Sequence, residues 1–192
     1  MARCKLGFAI TGSFCTIRQN LDLMRALSAD YDILPIFSYH AASLDTRFGK
    51  AADFIKEAEE IAGKKAICTI PEAEPIGPKH LTDLMLVSPC TGNTLAKLAL
   101  SITDTPVTMA VKSHLRGKKP VVIAVSTNDA IAGSAKNIGV LTNLKHYFFV
   151  PLRQDDYEKK PASLVADFSR VNETLSAASK HMQVEPLFLP PL

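Results

Sequence analysis

"LMLVSPCTGNTLAKLA", residues 84–99, is the stretch of sequence that decides the fold of this chain. The apolar run of residues 84–87 ends in a Ser-Pro pair, and small polar residues fill positions 90–94. From Leu95 onward, apolar residues recur at helical spacing. A buried strand, a loop rich in hydrogen-bond donors and a helix therefore follow one another directly, which is the repeating unit of an α/β fold.

The same alternation of strand and helix runs along the whole chain. Apolar runs predict six strands, at residues 5–10, 32–38, 66–70, 84–89, 120–126 and 147–152. Because such runs are apolar on both faces, they belong in a parallel sheet that helices cover on both sides. We therefore predict a doubly wound, three-layer α/β/α sandwich with a six-stranded, mostly parallel sheet of the flavodoxin or Rossmann type.

Four apolar stripes at helical spacing predict the main helices. Gly63 is a typical helix-ending residue and is expected to end the second helix. The stripes are Ile17, Leu21, Met24 and Leu27; Phe54, Ile55, Ala58 and Ile61; Leu95, Leu98 and Ile102; and Leu164, Phe168, Val171 and Leu175. Residues 38–51 read as a long loop. We expect one domain over residues 1–192, with an apolar, proline-rich tail from about residue 184 that packs on a neighbouring surface.

Composition argues against several classes of protein. The 192 residues carry 22 basic and 19 acidic side chains, a net charge of +3, without a dense basic run, so nothing suggests a nucleic-acid partner. No apolar stretch approaches the ~20 residues that cross a bilayer, and no signal-peptide pattern follows Met1. The four scattered cysteines form no C-x-x-C pair, and no His/Cys spacing suggests a metal. We expect reduced thiols, a cytoplasmic location, and no metal, membrane or nucleic acid.

Two of the loops that follow predicted strands are rich in donors. Because ligands of doubly wound sheets bind beyond the carboxyl ends of the strands, these loops are the first place to look for a site. Residues 11–16 offer Gly12, Ser13 and a helix N-terminus, and residues 91–94 offer two threonines, Gly92 and Asn93. Helix capping needs only one such residue per helix and contributes ~1 kcal/mol. We favour a phosphate cradle over two ordinary caps.

The remaining loops offer further candidates. Residues 126–129 present hydroxyl and amide groups, and the predicted loop at residues 38–51 is able to form a wall or lid over a bound ring. In that loop Arg47 is able to hold a carboxylate in a bidentate fork, although a lone loop arginine is more often solvated. Cys90 lies at a helix start, where a thiol pKa is lowered, but we favour a small buried cysteine over a nucleophile.

Taken together, these segments resemble a known family. "TGSF", "SPCTGNTLAKLA" and "PVVIAVSTND" are similar to the loops of the flavoprotein family, which comprises homo-oligomeric FMN-binding decarboxylases and prenyltransferases. Further segments, "TRFGKAADF", "AEPIGPK", "TDTPVTMAVKSHLR" and "FFVPLRQDDYEKKP", resemble the branch of that family formed by dipicolinate synthase B subunits. The resemblance runs from about Lys5 to Phe168.

The resemblance implies a set of site residues. Those expected to bind FMN are Gly12, Ser13, Phe14, Ser38, Ser88, Thr91, Gly92, Asn93 and Thr94. Within this set, the resemblance places Asn93 and Thr94 near the phosphate. Ser126 and Asn128 fall where the family reaches the substrate or an adjoining subunit's flavin, and with Arg47 they are the expected catalytic residues.

The resemblance also implies a reaction and partners. It predicts an FMN-binding B subunit that, with an A subunit carrying NAD(P)⁺, oxidises a cyclic dihydrodipicolinate-type dicarboxylate to dipicolinate in the mother cell of a sporulating bacterium. It further implies a homo-oligomer, either trimer or dodecamer. The decarboxylases' histidine pattern aligns on Pro75 rather than His80, which argues against decarboxylation. Decarboxylation, flavin prenyl transfer and a non-catalytic scaffold remain the alternatives.

Overall fold

A seven-stranded sheet forms the centre of the computed structural model, which describes residues 3–191. The strands are β1 (Cys4–Ile10), β2 (Tyr31–Phe37), β3 (Leu84–Cys90), β4 (Val121–Thr127), β5 (Tyr147–Phe149), β6 (Leu152–Arg153) and β7 (Leu164–Ala166). The helices are α1 (Ile17–Leu27), α2 (Tyr39–Ser43), α3 (Ala51–Ala62), α4 (Ile70–Ala73), α5 (Gly92–Ala99), α6 (Pro106–Leu115), α7 (Ala135–Thr142) and α8 (Val171–Ala178).

The first five strands are parallel and lie in the order β2-β1-β3-β4-β5. This is the strand order of flavodoxin-like sheets, in which the chain moves to one side of β1 and then returns to the other. The loops that follow β1 and β3 therefore diverge and leave a crevice at the carboxyl edge. The topology places the crevice between the two donor-rich loops.

Helices flank the sheet in an α/β/α arrangement, as predicted. Helix α1 contacts β1 and β3 and lies beside α3, whereas α6 contacts β2 and β3 and lies beside α4 and α5. Both α1 and α3 bury one apolar stripe, and α3 ends at Gly63 in the left-handed conformation, as expected of a helix-ending glycine. No helix among residues 3–191 is both long and apolar enough to cross a membrane.

The prediction of six strands was wrong, first at residues 66–70. There only Ile67 forms a bridge, to Ile36, and the chain then enters α4. The Thr69 side chain accepts a hydrogen bond from the Glu72 N–H, and the Glu72 carboxylate accepts one from the Thr69 N–H. This capping box starts a helix where apolar content alone suggested a strand.

The predicted strand at residues 147–152 is two strands. It breaks at Pro151, which has no N–H to donate to a ladder. Before the break, β5 pairs in parallel with the first half of β4; beyond it, β6 pairs with β7, which runs antiparallel to the end of β4. These short strands bring the total to seven.

Three of the predicted helix and loop limits also needed correction. Leu164 lies in β7, and the last helix begins only at Val171, because the Asp167 carboxylate first caps a 3-10 turn. Residues 38–51 are not all loop, because the Ser38 side chain accepts a hydrogen bond from Ala41 N–H and starts α2. Ile102 lies beyond the end of α5, and α6 and α7 were not predicted.

Short segments cover β2 and β6, two of the outer strands of the sheet. At one edge, Ile67 N–H donates to the Pro35 carbonyl and its carbonyl accepts from Phe37 N–H. At the other edge, Leu152 N–H donates to Leu187 and its carbonyl accepts from Leu189 N–H, each at 2.8 Å. Residues 187 and 189 of the proline-rich tail therefore pair with β6.

Candidate functional site

The two donor-rich loops are joined at the crevice between β1 and β3. The Thr11 hydroxyl, at the end of β1, donates to the Pro89 carbonyl at 2.7 Å and accepts from Thr91 N–H at 3.1 Å. Thr11 is almost fully buried. Because one buried hydroxyl connects both loops, their relative position is set by the protein itself.

The second of these loops begins helix α5. The Thr91 hydroxyl accepts a hydrogen bond from Thr94 N–H at 3.3 Å and lies 3.1 Å from the Thr94 hydroxyl, so Thr91 caps the helix. Asn93, in contrast, is exposed, and its side chain has no hydrogen-bond partner within residues 3–191. The amide of Asn93 and the positive end of the α5 dipole are therefore available to a ligand.

Gly92 is required by close packing of the loop that follows β4. A Cβ atom at Gly92 would lie 2.5 Å from Ser134 Oγ, 2.8 Å from Asp129 Oδ1 and 2.9 Å from Thr127 Oγ1. These three groups are hydrogen-bonded to one another through the Asp129 carboxylate. Only a residue without a side chain fits between this cluster and the start of α5.

A cavity of about 490 Å³ opens beside these loops. Its volume lies in the range of small-molecule sites, which is ~300–1,000 Å³. Among the residues expected to bind FMN, those lining the cavity are Gly12, Phe14, Ser38, Thr91, Asn93 and Thr94. Tyr39 and His40 of α2 form part of its wall.

A paired lysine and aspartate also line the cavity, and neither was among the predicted site residues. Lys97 Nζ donates to both carboxylate oxygens of Asp104, at 2.8 and 2.9 Å. The hydrogen bonds from Lys97 lower the pKa of the Asp104 carboxyl. Lys97 follows Asn93 by four residues and so lies on the same face of α5. That spacing was the available signal for Lys97.

Ser13 and Ser126 meet each other outside this cavity lining. Their hydroxyl oxygens are 2.9 Å apart, and the Thr16 hydroxyl donates to Ser13 Oγ at 3.2 Å. Asn128 lies two residues beyond Ser126, is exposed, and its side-chain oxygen is 3.5 Å from the Ser163 hydroxyl. The loop after β1, the end of β4 and the residues that follow β4 thus form a second polar group at the same edge of the sheet.

Two other predicted residues lie away from both groups. Ser88 is fully buried and donates to the side-chain oxygen of Asn20, whose amide donates to the Thr16 carbonyl at 2.8 Å. Arg47 is exposed on the turn between Thr46 and Gly49, with its guanidinium 4.8 Å from the centre of the Phe48 ring. Neither side chain lines the cavity.

Cys90 is buried, and burial raises the pKa of its thiol, in agreement with the inert role favoured from the sequence. Within residues 3–191, no three His, Cys, Asp or Glu side chains cluster so as to hold a metal ion.

The groups that the cavity offers a ligand are a helix N-terminus, neutral donors, an ion pair and aromatic walls. Such a set suits a phosphorylated ligand that carries a flat ring.

Comparisons with known proteins agree with this arrangement. The family model described as Flavoprotein matches residues 1–177. The dipicolinate synthase B subunit of Bacillus subtilis (strain 168) is 39% identical over 186 residues, which cover 96% of this chain and 93% of that protein. The crystal structure of the dipicolinate synthase B subunit from Bacillus halodurans C matches with a TM-score of 0.90 at 36% identity, covering 100% of this chain and 98% of that one. HAL3 from Cryptococcus neoformans, at 15% identity and a TM-score of 0.69, covers 93% of this chain and 97% of its own, and shares the fold.

Proposed function

The chain belongs to the flavoprotein family, and we propose that it is the FMN-binding B subunit of a dipicolinate synthase. An A subunit would carry NAD(P)⁺, and the pair would make dipicolinate in the cytoplasm of the mother cell of a sporulating bacterium. The proposal is supported by 39% identity to the Bacillus subtilis protein across 96% of this chain. The single observation that carries the cofactor assignment is the Thr11 hydroxyl, which holds two donor-rich loops against one cavity.

In this proposal the cavity residues hold FMN. Asn93, Thr94 and the N-terminus of α5 would bind the ribityl phosphate, since neutral donors and a helix dipole stabilise a dianion. Gly12, Phe14, Tyr39 and His40 line the cavity and would pack against the rest of the molecule. Of the other expected FMN contacts, Ser38 lines the cavity, whereas Ser13 and Ser88 support the loops through Ser126 and Asn20.

The proposed substrate is a cyclic dihydro-dicarboxylate. Aromatising its ring removes a hydride, which passes to NAD(P)⁺, and a proton, which leaves to solvent. Bound FMN would supply a redox-active ring next to this chemistry. Ser126 and Asn128 would orient a substrate carboxylate, and Arg47 would pair with one in a bidentate fork. Because Ser126, Asn128 and Arg47 lie outside the lining of this cavity, we propose a trimer or dodecamer in which a neighbouring copy completes the site.

Two measurements test the proposal. Titration of the purified chain with FMN should shift the flavin absorbance, and NAD(P)H should form from the dihydro substrate only when the A subunit is added. A chain that leaves the flavin spectrum unchanged would contradict the cofactor assignment. Turnover without the A subunit would contradict the assignment of NAD(P)⁺ to that subunit. Release of CO₂ from the substrate would contradict the proposed oxidation.

Substitution of Thr94 tests where the FMN phosphate binds within the cavity. Thr94→Val keeps the volume of the side chain but removes a hydroxyl, so FMN affinity should fall by about 1–3 kcal/mol, which is about five- to 150-fold. Thr142→Val, at an exposed position of α7, is the matched control and should leave affinity unchanged. Equal affinity in both variants would remove Thr94 from the phosphate site.

A further inference from the structure

Two more cavities lie on either side of helix α6. The first, about 520 Å³, opens between α6 and the segment of residues 74–79. The second, about 450 Å³, opens between α6, the end of α5 and the start of β5. Lys112 and Arg116 line both cavities, so these two side chains form a ridge between them. Neither cation lines the proposed flavin cavity.

Three exposed cations line the first cavity. Lys112 and Arg116 are exposed and one helical turn apart, and Lys79 lines the first cavity from the opposite wall. Within residues 3–191, no carboxylate lies within 4.0 Å of the charged nitrogens of these three residues, whereas Lys97 and Lys119 are both paired. Glu74 is the only acid that lines the first cavity. The ridge therefore carries an excess of positive charge.

The wall opposite the ridge is held rigidly. The Ser113 hydroxyl, on α6, donates to the Glu74 carbonyl at 2.6 Å and accepts from Gly77 N–H at 2.8 Å. A Cβ atom at Gly77 would collide with the backbone carbonyl of Ser113, so this segment packs directly on the helix. Pro75 and Pro78 line the cavity and limit the motion of its wall further. A ligand would meet a preformed site.

The second cavity has an apolar lining. Leu98, Ile102, Val111 and Leu115 contribute aliphatic side chains, and Tyr147 contributes an aromatic ring. Burial raises the pKa of Tyr147 to about 12, so its phenol remains a neutral donor at physiological pH. In the part of the chain that the structure describes, that hydroxyl has no hydrogen-bond partner. The cavity thus offers a flat ring an apolar surface with one free donor.

We propose that the ridge of Lys112 and Arg116 and the two cavities beside it form a second binding site, for a nucleotide-like ligand with a diphosphate and a flat heterocycle. The diphosphate would lie across Lys112 and Arg116 and reach Lys79, because an arginine fork and two ammonium groups match its oxygens. The heterocycle would enter the apolar cavity and pack on Tyr147. This inference does not depend on FMN binding, since the two sites share no lining residue.

The test is a calorimetric titration of ADP into the full chain, once with FMN and once without. ADP should bind in both titrations, with adenosine and pyrophosphate each binding more weakly. Lys112→Met combined with Arg116→Met should weaken ADP at least ten-fold, whereas Lys136→Met combined with Lys180→Met, two exposed lysines elsewhere, should not. Binding of ADP by a chain that ignores FMN would uphold this site and contradict the flavin assignment.

Three results would overturn the proposal. The first is no heat with millimolar ADP, and the second is equal ADP affinity in the two double variants. The third is competition between FMN and ADP, which would place ADP in the flavin cavity. A cation near the end of α6 also stabilises that helix through its dipole, but such a role alone would change thermal stability and leave ADP affinity unaffected. Ile102→Asp should also reduce ADP binding, and Val140→Asp, at another exposed apolar position, should not.

Discussion

The Thr91 N–H donates to the Thr11 hydroxyl across 3.1 Å, and this contact connects the ends of two neighbouring parallel strands. The same hydroxyl donates to Pro89. Thr11→Val keeps the shape of the side chain but leaves a buried N–H and a buried carbonyl without a partner. We expect a loss of about 1–3 kcal/mol in the free energy of unfolding, measured by urea denaturation, together with weaker FMN binding.

Thr11→Ser is the control for this substitution, because it retains the hydroxyl and removes only a methyl group. It should unfold at a urea concentration closer to that of the unaltered chain than to that of Thr11→Val. If both variants unfold at the same concentration, the hydroxyl does not hold the two loops together.

The ion pair of Lys97 and Asp104 should influence the affinity of the cavity for FMN. If the FMN phosphate lies near Lys97, then Asp104 competes with it for the ammonium group. Asp104→Asn should then strengthen FMN binding by about two- to five-fold, the scale of a partly exposed ion pair, and Lys97→Met should weaken it. Fluorescence quenching of FMN measures both. Asp156→Asn and Lys159→Met alter a surface pair elsewhere and should leave FMN affinity unchanged. A weaker FMN affinity in Asp104→Asn, or a stronger one in Lys97→Met, would show that the phosphate does not lie near Lys97.

Gly92 and Gly139 both lie in helices but should respond oppositely to alanine. Gly92→Ala would push against Ser134, Asp129 and Thr127, so we expect a cost of about 1–3 kcal/mol. Gly139→Ala meets nothing within 4 Å and should stabilise α7 by about 0.5–1 kcal/mol. Thermal unfolding of the two variants measures the contrast. A stable Gly92→Ala protein would show that the loop after β4 moves aside easily.

His114 should make the chain sensitive to acid. It is buried, its Nδ1 lies 2.7 Å from the Thr82 hydroxyl and its Nε2 lies 3.0 Å from the Pro120 carbonyl. Burial lowers the pKa of His114 from 6.5 to about 4. Between these two values the unfolded chain binds more protons than the folded chain, so the free energy of unfolding falls as the pH falls. The loss should begin near pH 6.5 and reach about 3 kcal/mol below the folded pKa.

Urea denaturation at several pH values measures this loss. His114→Gln should show a shallower dependence on pH across that interval, although it will be less stable at neutral pH. His80→Asn, at an exposed histidine, should keep the dependence of the unaltered chain. An unchanged slope in His114→Gln would assign the acid sensitivity to other groups, namely His146, whose pKa burial also lowers, and the carboxyl groups.

Sequence pattern predicted the central strands well because their surroundings are uniform. β1, β3 and β4 are buried on both faces, so an apolar run identifies each of them. It failed where local hydrogen bonding or proline decided the outcome. Thr69 and Glu72 start a helix within an apolar run, and Pro151 divides what reads as one strand. Neither the capping box nor the strand break can be predicted from apolar content alone.

The cavity was predictable to the level of its loops but not of its side chains. Strand order brings the loops after β1 and β3 together, and the donors of both loops are visible in the sequence. Which way a hydroxyl points depends on the position of its residue in the ladder, and Ser88 turns towards α1 and Asn20 instead of the cavity. Lys97 and Asp104 are joined across the end of a helix, and no local pattern records that pairing.

The short segments at Ile67 and at Leu187–Leu189 have a consequence for how this molecule meets others. They occupy main-chain groups of the outer strands β2 and β6, so copies that associate at these strands would do so through side-chain surfaces more readily than by adding strand to strand. A chain cut before residue 184 would leave the Leu152 N–H and carbonyl without partners, and the exposed edge of β6 could then pair with a strand of another chain.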